Sequence, residues 1–91
     1  MAKVIFYGAS WWPGCKPAKE FLSQNNVEYT YKDIDDEEIL KEFYAMRDKH
    51  AIYDPIKAAG RYGLPSFVID GEPFVDVMKQ TDIIKEKLGL K

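Results

Sequence analysis

The chain has 91 residues, 46% of them hydrophobic and 31% charged, with 13 basic against 15 acidic side chains and a net charge of −2. That length holds one domain around one core, and the composition is that of a folded globular chain, not a disordered or fibrous one. The near balance of charge argues against nucleic acid or an anionic membrane as partner, because either calls for a basic stripe. No apolar run approaches the ~20 residues of a membrane span. Nor does Met1-Ala2-Lys3-Val4-Ile5-Phe6-Tyr7-Gly8 offer the apolar segment and small-residue cleavage site of a signal peptide. The one cysteine, Cys15, forbids an internal disulfide and a cysteine-built zinc or iron–sulfur site within a single chain. A reducing, cytoplasmic setting and a monomer are expected.

In chain order, Lys3-Val4-Ile5-Phe6-Tyr7 is a short apolar, β-branched and aromatic run closed by Gly8, which predicts a buried strand. Ala18, Phe21 and Leu22 follow at helical spacing, with Pro13 as a start signal and Asn25-Asn26 as the stop. Val27, Tyr29 and Tyr31 alternate with polar residues at the period of a half-buried strand. Asp35 with Glu38 is a capping pattern for a helix that carries Ile39, Leu40, Phe43 and Met46 on one face. Asp54-Pro55 suggests a second helix start and Gly60 its stop. Pro65 to Ile69 and Pro73 to Val77 are apolar runs around Asp70-Gly71, a strong hairpin signal. A last amphipathic helix begins near Thr81 and buries Ile84 and Leu88. The order is β-α-β-α-β-β-α, an α/β chain. Its first two strands are joined by a right-handed parallel crossover and its last two by a tight antiparallel turn, giving a mixed four-stranded sheet flanked by helices.

The stretch that carries chemistry joins the first strand to the first helix, where α/β sheets present reactive groups. Tyr7, Trp12-Pro13-Gly14-Cys15 and Ala18-Lys19 there resemble the glutaredoxin pattern of strand, Tyr, polar loop, Cys-Pro-x-Cys and a helix with Ala-Lys. Gly60-Arg61-Tyr62-Gly63-Leu64-Pro65 is similar to the same family's Gly-Arg-x-Thr-Val-Pro run. The resemblance covers essentially the whole chain, with a longer stretch between Phe43 and Lys57. It implies the thioredoxin-like fold, thiol–disulfide exchange on disulfide-containing proteins or glutathione mixed disulfides, no bound cofactor, and glutathione as co-substrate. It also implies a cis Leu64–Pro65 bond facing the reactive loop.

Position 12 departs from the pattern. By resemblance it is the nucleophile's position, and Trp12 stands there. A thiolate at a helix N-terminus is stabilised by unpaired N–H groups and the macrodipole, and it attacks a disulfide through a mixed-disulfide intermediate. An indole has one N–H donor and no comparable nucleophile. Cys15 holds the resolving position, expected one turn into the helix. Because the rest of the loop is retained, position 12 reads as one that natively carries cysteine or selenocysteine, whose codons differ from tryptophan's by one base. The competing readings are a redox-silent module that grips a peptide or protein partner with Trp11 and Trp12, and a monothiol exchanger using Cys15 alone.

The resemblance assigns Pro13 to stiffening the turn, Leu64 and Pro65 to the substrate-facing backbone, and Arg61, Asp76 and Tyr7 to substrate or glutathione binding. Ala9, Gly14 and Gly63 stand where the family carries Lys, Tyr and Thr for glutathione. Lys16 and Lys19 read as solvated charges or as added positive potential, and His50 as a helix-end charge rather than a hydrolytic partner of Cys15.

Overall fold

A computed structural model describes residues 2–90. Strand β1 (Val4–Gly8) is followed by helix α1 (Cys15–Gln24), β2 (Thr30–Asp33), α2 (Glu37–Asp48), a 3₁₀ turn (Ala51–Tyr53) that runs into the short α3 (Asp54–Ala58), the hairpin β3 (Ser66–Ile69) and β4 (Glu72–Phe74), a second 3₁₀ turn (Val77–Lys79) and α4 (Thr81–Leu88). The sheet runs β2-β1-β3-β4. β1 is parallel to β2 and antiparallel to β3, and β3 is antiparallel to β4, so the predicted mixed sheet and closing hairpin are present.

The two central strands are almost wholly buried. β3 is buried at all four positions, and in β1 Val4, Phe6, Tyr7 and Gly8 are buried. Phe6 packs edge-on against Phe67 of β3, with ring centroids 5.3 Å apart. Helix α1 contributes Cys15, Ala18, Phe21 and Leu22. The hairpin turn places Asp70 at φ 51° and Gly71 at φ 86°, the backbone of a two-residue turn with both residues left-handed. Asp70 Oδ1 also accepts from the Lys3 N–H at 2.8 Å, which ties the turn to the start of β1.

Several boundaries differ from the sequence reading. β2 begins at Thr30 rather than Val27, because an edge strand keeps only the residues that pair with β1, Ile5↔Thr30 through Gly8↔Asp33. The cap of α2 is Asp36, not Asp35: its Oδ1 accepts from the N–H groups of Glu38 (2.9 Å) and Ile39 (3.3 Å). Asp35 instead turns its N–H to Asp33 Oδ1. β4 stops at Phe74, and Asp76, at φ 50°, turns the chain into the second 3₁₀ turn.

Candidate active site

The loop from β1 to α1 closes on itself by two backbone bonds, Trp12 N–H to Ala9 O and Cys15 N–H to Trp12 O, both 3.1 Å. Pro13 and Gly14 are the central residues of the second turn, where proline's fixed φ suits the first of the pair. Gly14 then forms the N-cap of α1 at φ −78°, ψ −10°. Cys15 is therefore the first helical residue, a correction to its expected place one turn in. The residue is 6% exposed, and its Sγ accepts from the buried Ala9 N–H at 3.5 Å. Two effects oppose each other at this sulfur. Burial pushes the thiol's pKa above its ordinary value and outweighs the lowering by the Ala9 N–H, while the Asp33 carboxylate raises it further. Cys15 shares a cavity of about 300 Å³ with Phe6, Ser10, Lys16, Lys19, Tyr31 and Asp33. His50 is not among the residues lining it.

Pro65 meets this loop directly. The Leu64–Pro65 bond is cis, and a Cβ on Gly14 would lie 3.2 Å from Pro65 Cδ. Gly14, Leu64, Pro65, Asp76 and Val77 line one small cleft of about 200 Å³, with Lys79 at its edge. Residues far apart in sequence are joined here because β3 lies beside β1 and starts at the level of the loop. Of the predicted binding residues, the cleft thus unites Leu64, Pro65 and Asp76. Gly63 at φ 88° explains its own identity, since a Cβ there would meet Tyr53 and Ile56 at 3.3 Å on a backbone that side chains rarely adopt.

Tyr7 and Arg61 lie elsewhere. Phe6 faces the Cys15 cavity, so its neighbour Tyr7 projects from the opposite face of the sheet. There it packs on Phe43 of α2 and donates its hydroxyl to Glu42, which also pairs with Lys32 at 2.7 Å. Burial, with Glu42 beside it, raises the Tyr7 pKa. Arg61 is exposed and lines a separate open groove of about 530 Å³ with Tyr44, Arg47, Asp48, Gly60 and Tyr62.

An aromatic ladder links that groove to the loop. Trp11, 53% exposed, donates its indole N–H to Asp35 at 2.8 Å and lies edge-on to both Trp12 and Tyr62. Trp12 is half-buried, with its ring 6.2 Å from that of Tyr62. Tyr62 in turn stacks parallel on Tyr44 at 6.5 Å. Tyr44 belongs to no motif and Tyr62 fills only the variable position of the Gly60–Pro65 run, and their separation in sequence has no helical or strand period. What signal there was lay in Tyr62's place shortly before Leu64.

Known proteins add to this geometry. The Glutaredoxin family model matches residues 4–75. The crystal structure of a single-substitution mutant of the thioredoxin-like protein BC3987 is similar, with a TM-score of 0.70 and 28% identity over 100% of both chains. That of the unmutated thioredoxin-like protein BC3987 has a TM-score of 0.58 and 30% identity over 93% of this chain and 99% of the other. No curated protein matches. Among the described residues, no helix is long and apolar enough to cross a membrane, and no three His, Cys, Asp or Glu side chains cluster to hold a metal ion. With its family match, its thioredoxin-like neighbours and its four-stranded mixed sheet, the chain belongs to the glutaredoxin family.

Proposed function

We propose that the loop from Ala9 to Cys15 is a thiol–disulfide exchange site whose point of attack is position 12. The supporting observation is the meeting of Gly14 and Pro65, which sets the loop and the start of β3 face to face around a cleft open to a substrate chain. In the complete reaction, a thiolate or selenolate at position 12 attacks one sulfur of a substrate disulfide. A mixed bond forms and the other substrate sulfur leaves as thiolate. Cys15, after losing its proton, attacks the residue-12 atom of that bond, releasing the second substrate thiolate and leaving a bond between positions 12 and 15. The substrate is reduced by two electrons, and the chain is oxidised by two.

Each local residue has a part. Pro13 stiffens the turn between positions 12 and 15, Leu64 and Pro65 present backbone to the substrate, and Asp76 offers a carboxylate to an ammonium group in the same cleft. Glutathione, as the thiol that returns the chain to its reduced form, follows from the family alone. With Trp12 in place the first attack has no nucleophile, so the chain as written is silent in dithiol exchange. The test is reduction of a small-molecule disulfide by the Trp12→Cys variant, with the unsubstituted chain as control. Turnover by the variant alone supports the proposal. A folded variant that stays inert overturns it.

A further inference from the structure

The groove lined by Tyr44, Arg47, Arg61 and Tyr62 is distinct from both the Cys15 cavity and the Pro65 cleft. Its charge is unusual in a chain of net charge −2. Two arginines, Arg47 and Arg61, line the groove, and among the described residues neither forms an ion pair. The one carboxylate on its wall, Asp48, is 3.0 Å from Lys57 Nζ and so is already partnered. Arg47 is fixed in place: its guanidinium lies 4.9 Å from the centre of the Tyr44 ring and donates to the carbonyls of Arg61 and Tyr62 at 3.2 and 3.4 Å. Its Nε is buried with no hydrogen-bond partner among the described residues. Arg61 adds a second, exposed guanidinium.

The groove is also correctly placed. Tyr62 forms one of its walls and, on its other side, stands beside Trp11 and Trp12. The groove therefore adjoins position 12 through Tyr62, within reach of a chain whose disulfide sits there. The volume of about 530 Å³ is enough for several side chains, and planar guanidinium groups bind carboxylates through paired hydrogen bonds.

We infer that this groove docks an acidic polypeptide segment flanking the disulfide of a protein substrate, selecting acidic over neutral or basic partners. The identity of the occupant as a substrate rests on the exchange reading. The charge preference rests on the groove's own residues and is tested without any redox chemistry.

The experiment titrates the intact protein with three short amidated peptides of equal length, rich in Asp and Glu, in Ser and Gly, or in Lys. The fluorescence of Trp11 and Trp12 is followed, since both rings adjoin Tyr62. The acidic peptide binds at least about fivefold more tightly than the neutral one, the lysine peptide more weakly than either, and added salt erases the difference. Arg61→Glu abolishes the preference and Arg61→Lys keeps part of it. Both variants fold, because the Arg61 side chain is exposed and the contact to Arg47 uses its backbone carbonyl. Equal affinity for all three peptides, an Arg61→Glu variant that binds unchanged, or displacement of the acidic peptide by equimolar glutathione overturns the inference. Failure of Trp12→Cys to reduce a disulfide would sink the exchange reading and leave this binding result to stand or fall by itself.

Discussion

Gly14 and Pro65 are in contact across the candidate site, so close that a single methyl group on Gly14 would press on Pro65 Cδ at 3.2 Å. Gly14 has an ordinary helical φ of −78°, so the constraint is space and not backbone conformation. Gly14→Ala therefore costs little stability, about 1 kcal/mol, the low end of overpacking. Its larger effect falls on the cleft. In a Trp12→Cys background, Gly14→Ala lowers kcat/KM for a disulfide about tenfold, as a small misplacement of reacting groups does. A paired enzyme assay and denaturant titration check both numbers.

Gly8 is a harsher case on the same theme. A Cβ there would lie 2.9 Å from Phe6 Cε1, 3.0 Å from Cys15 Sγ and 3.3 Å from Tyr31 Cε1. Gly8→Ala is expected to destabilise the fold by roughly 1–3 kcal/mol and to shift Cys15, seen as a lower urea midpoint and a changed alkylation rate.

Cys15 should be a slow thiol. Burial raises its pKa above the ordinary value, so at neutral pH less of it is thiolate than in an unfolded peptide. Its alkylation rate by iodoacetamide is expected to rise with a midpoint above that of the same residue in urea. An equal or lower midpoint would show that the Ala9 N–H outweighs burial. The sign for stability follows: the folded chain holds this proton more tightly than the unfolded chain. The stabilisation is complete below the unfolded pKa and is lost as pH rises through the folded one.

Tyr53 and Ser66 form a buried pair behind Pro65, the Tyr53 hydroxyl donating to Ser66 Oγ at 2.9 Å while Ser66 donates to Gly63 O. Both residues are 0% exposed. Tyr53→Phe leaves one acceptor of Ser66 unfilled and is expected to cost about 1–2 kcal/mol in unfolding free energy, measured by denaturant titration. No loss at all would mean that the pair contributes nothing net.

How far the fold was legible depended on local signals. The Asp70-Gly71 turn, the apolar Phe67-Val68-Ile69 of β3 and the Pro13 start of α1 carry their structure in their own residue types, and each lies where the sequence reading put it to within a few residues. β2 was misplaced at its start because alternation in Val27-Glu28-Tyr29 suits any half-exposed extended chain, and only pairing with β1 decides where the strand begins. The site was legible in part: of the residues that a motif names, Cys15 lies at the loop and Leu64 and Pro65 in the adjoining cleft; Asp76, which no motif names, lines that cleft too. Tyr7 and Arg61 belong to the same motifs but lie apart from the loop: strand alternation sends Tyr7 to the far face to meet Glu42, and Arg61 lines the separate groove. The Tyr44–Tyr62 stack was invisible because it depends on how the end of α2 packs against the chain before Pro65, a tertiary fact with no local pattern.

The codon at position 12 in the source gene bears on the same point. It is expected to be UGA or a cysteine codon, and UGG would favour a redox-silent relative.

The most direct measurement is the disulfide reductase activity of Trp12→Cys beside the unsubstituted chain, with folding of both verified by circular dichroism. Steady turnover with glutathione as reductant in the variant, and none above background in the parent, is the result the account predicts. A well-folded variant with no more activity than its parent would contradict it.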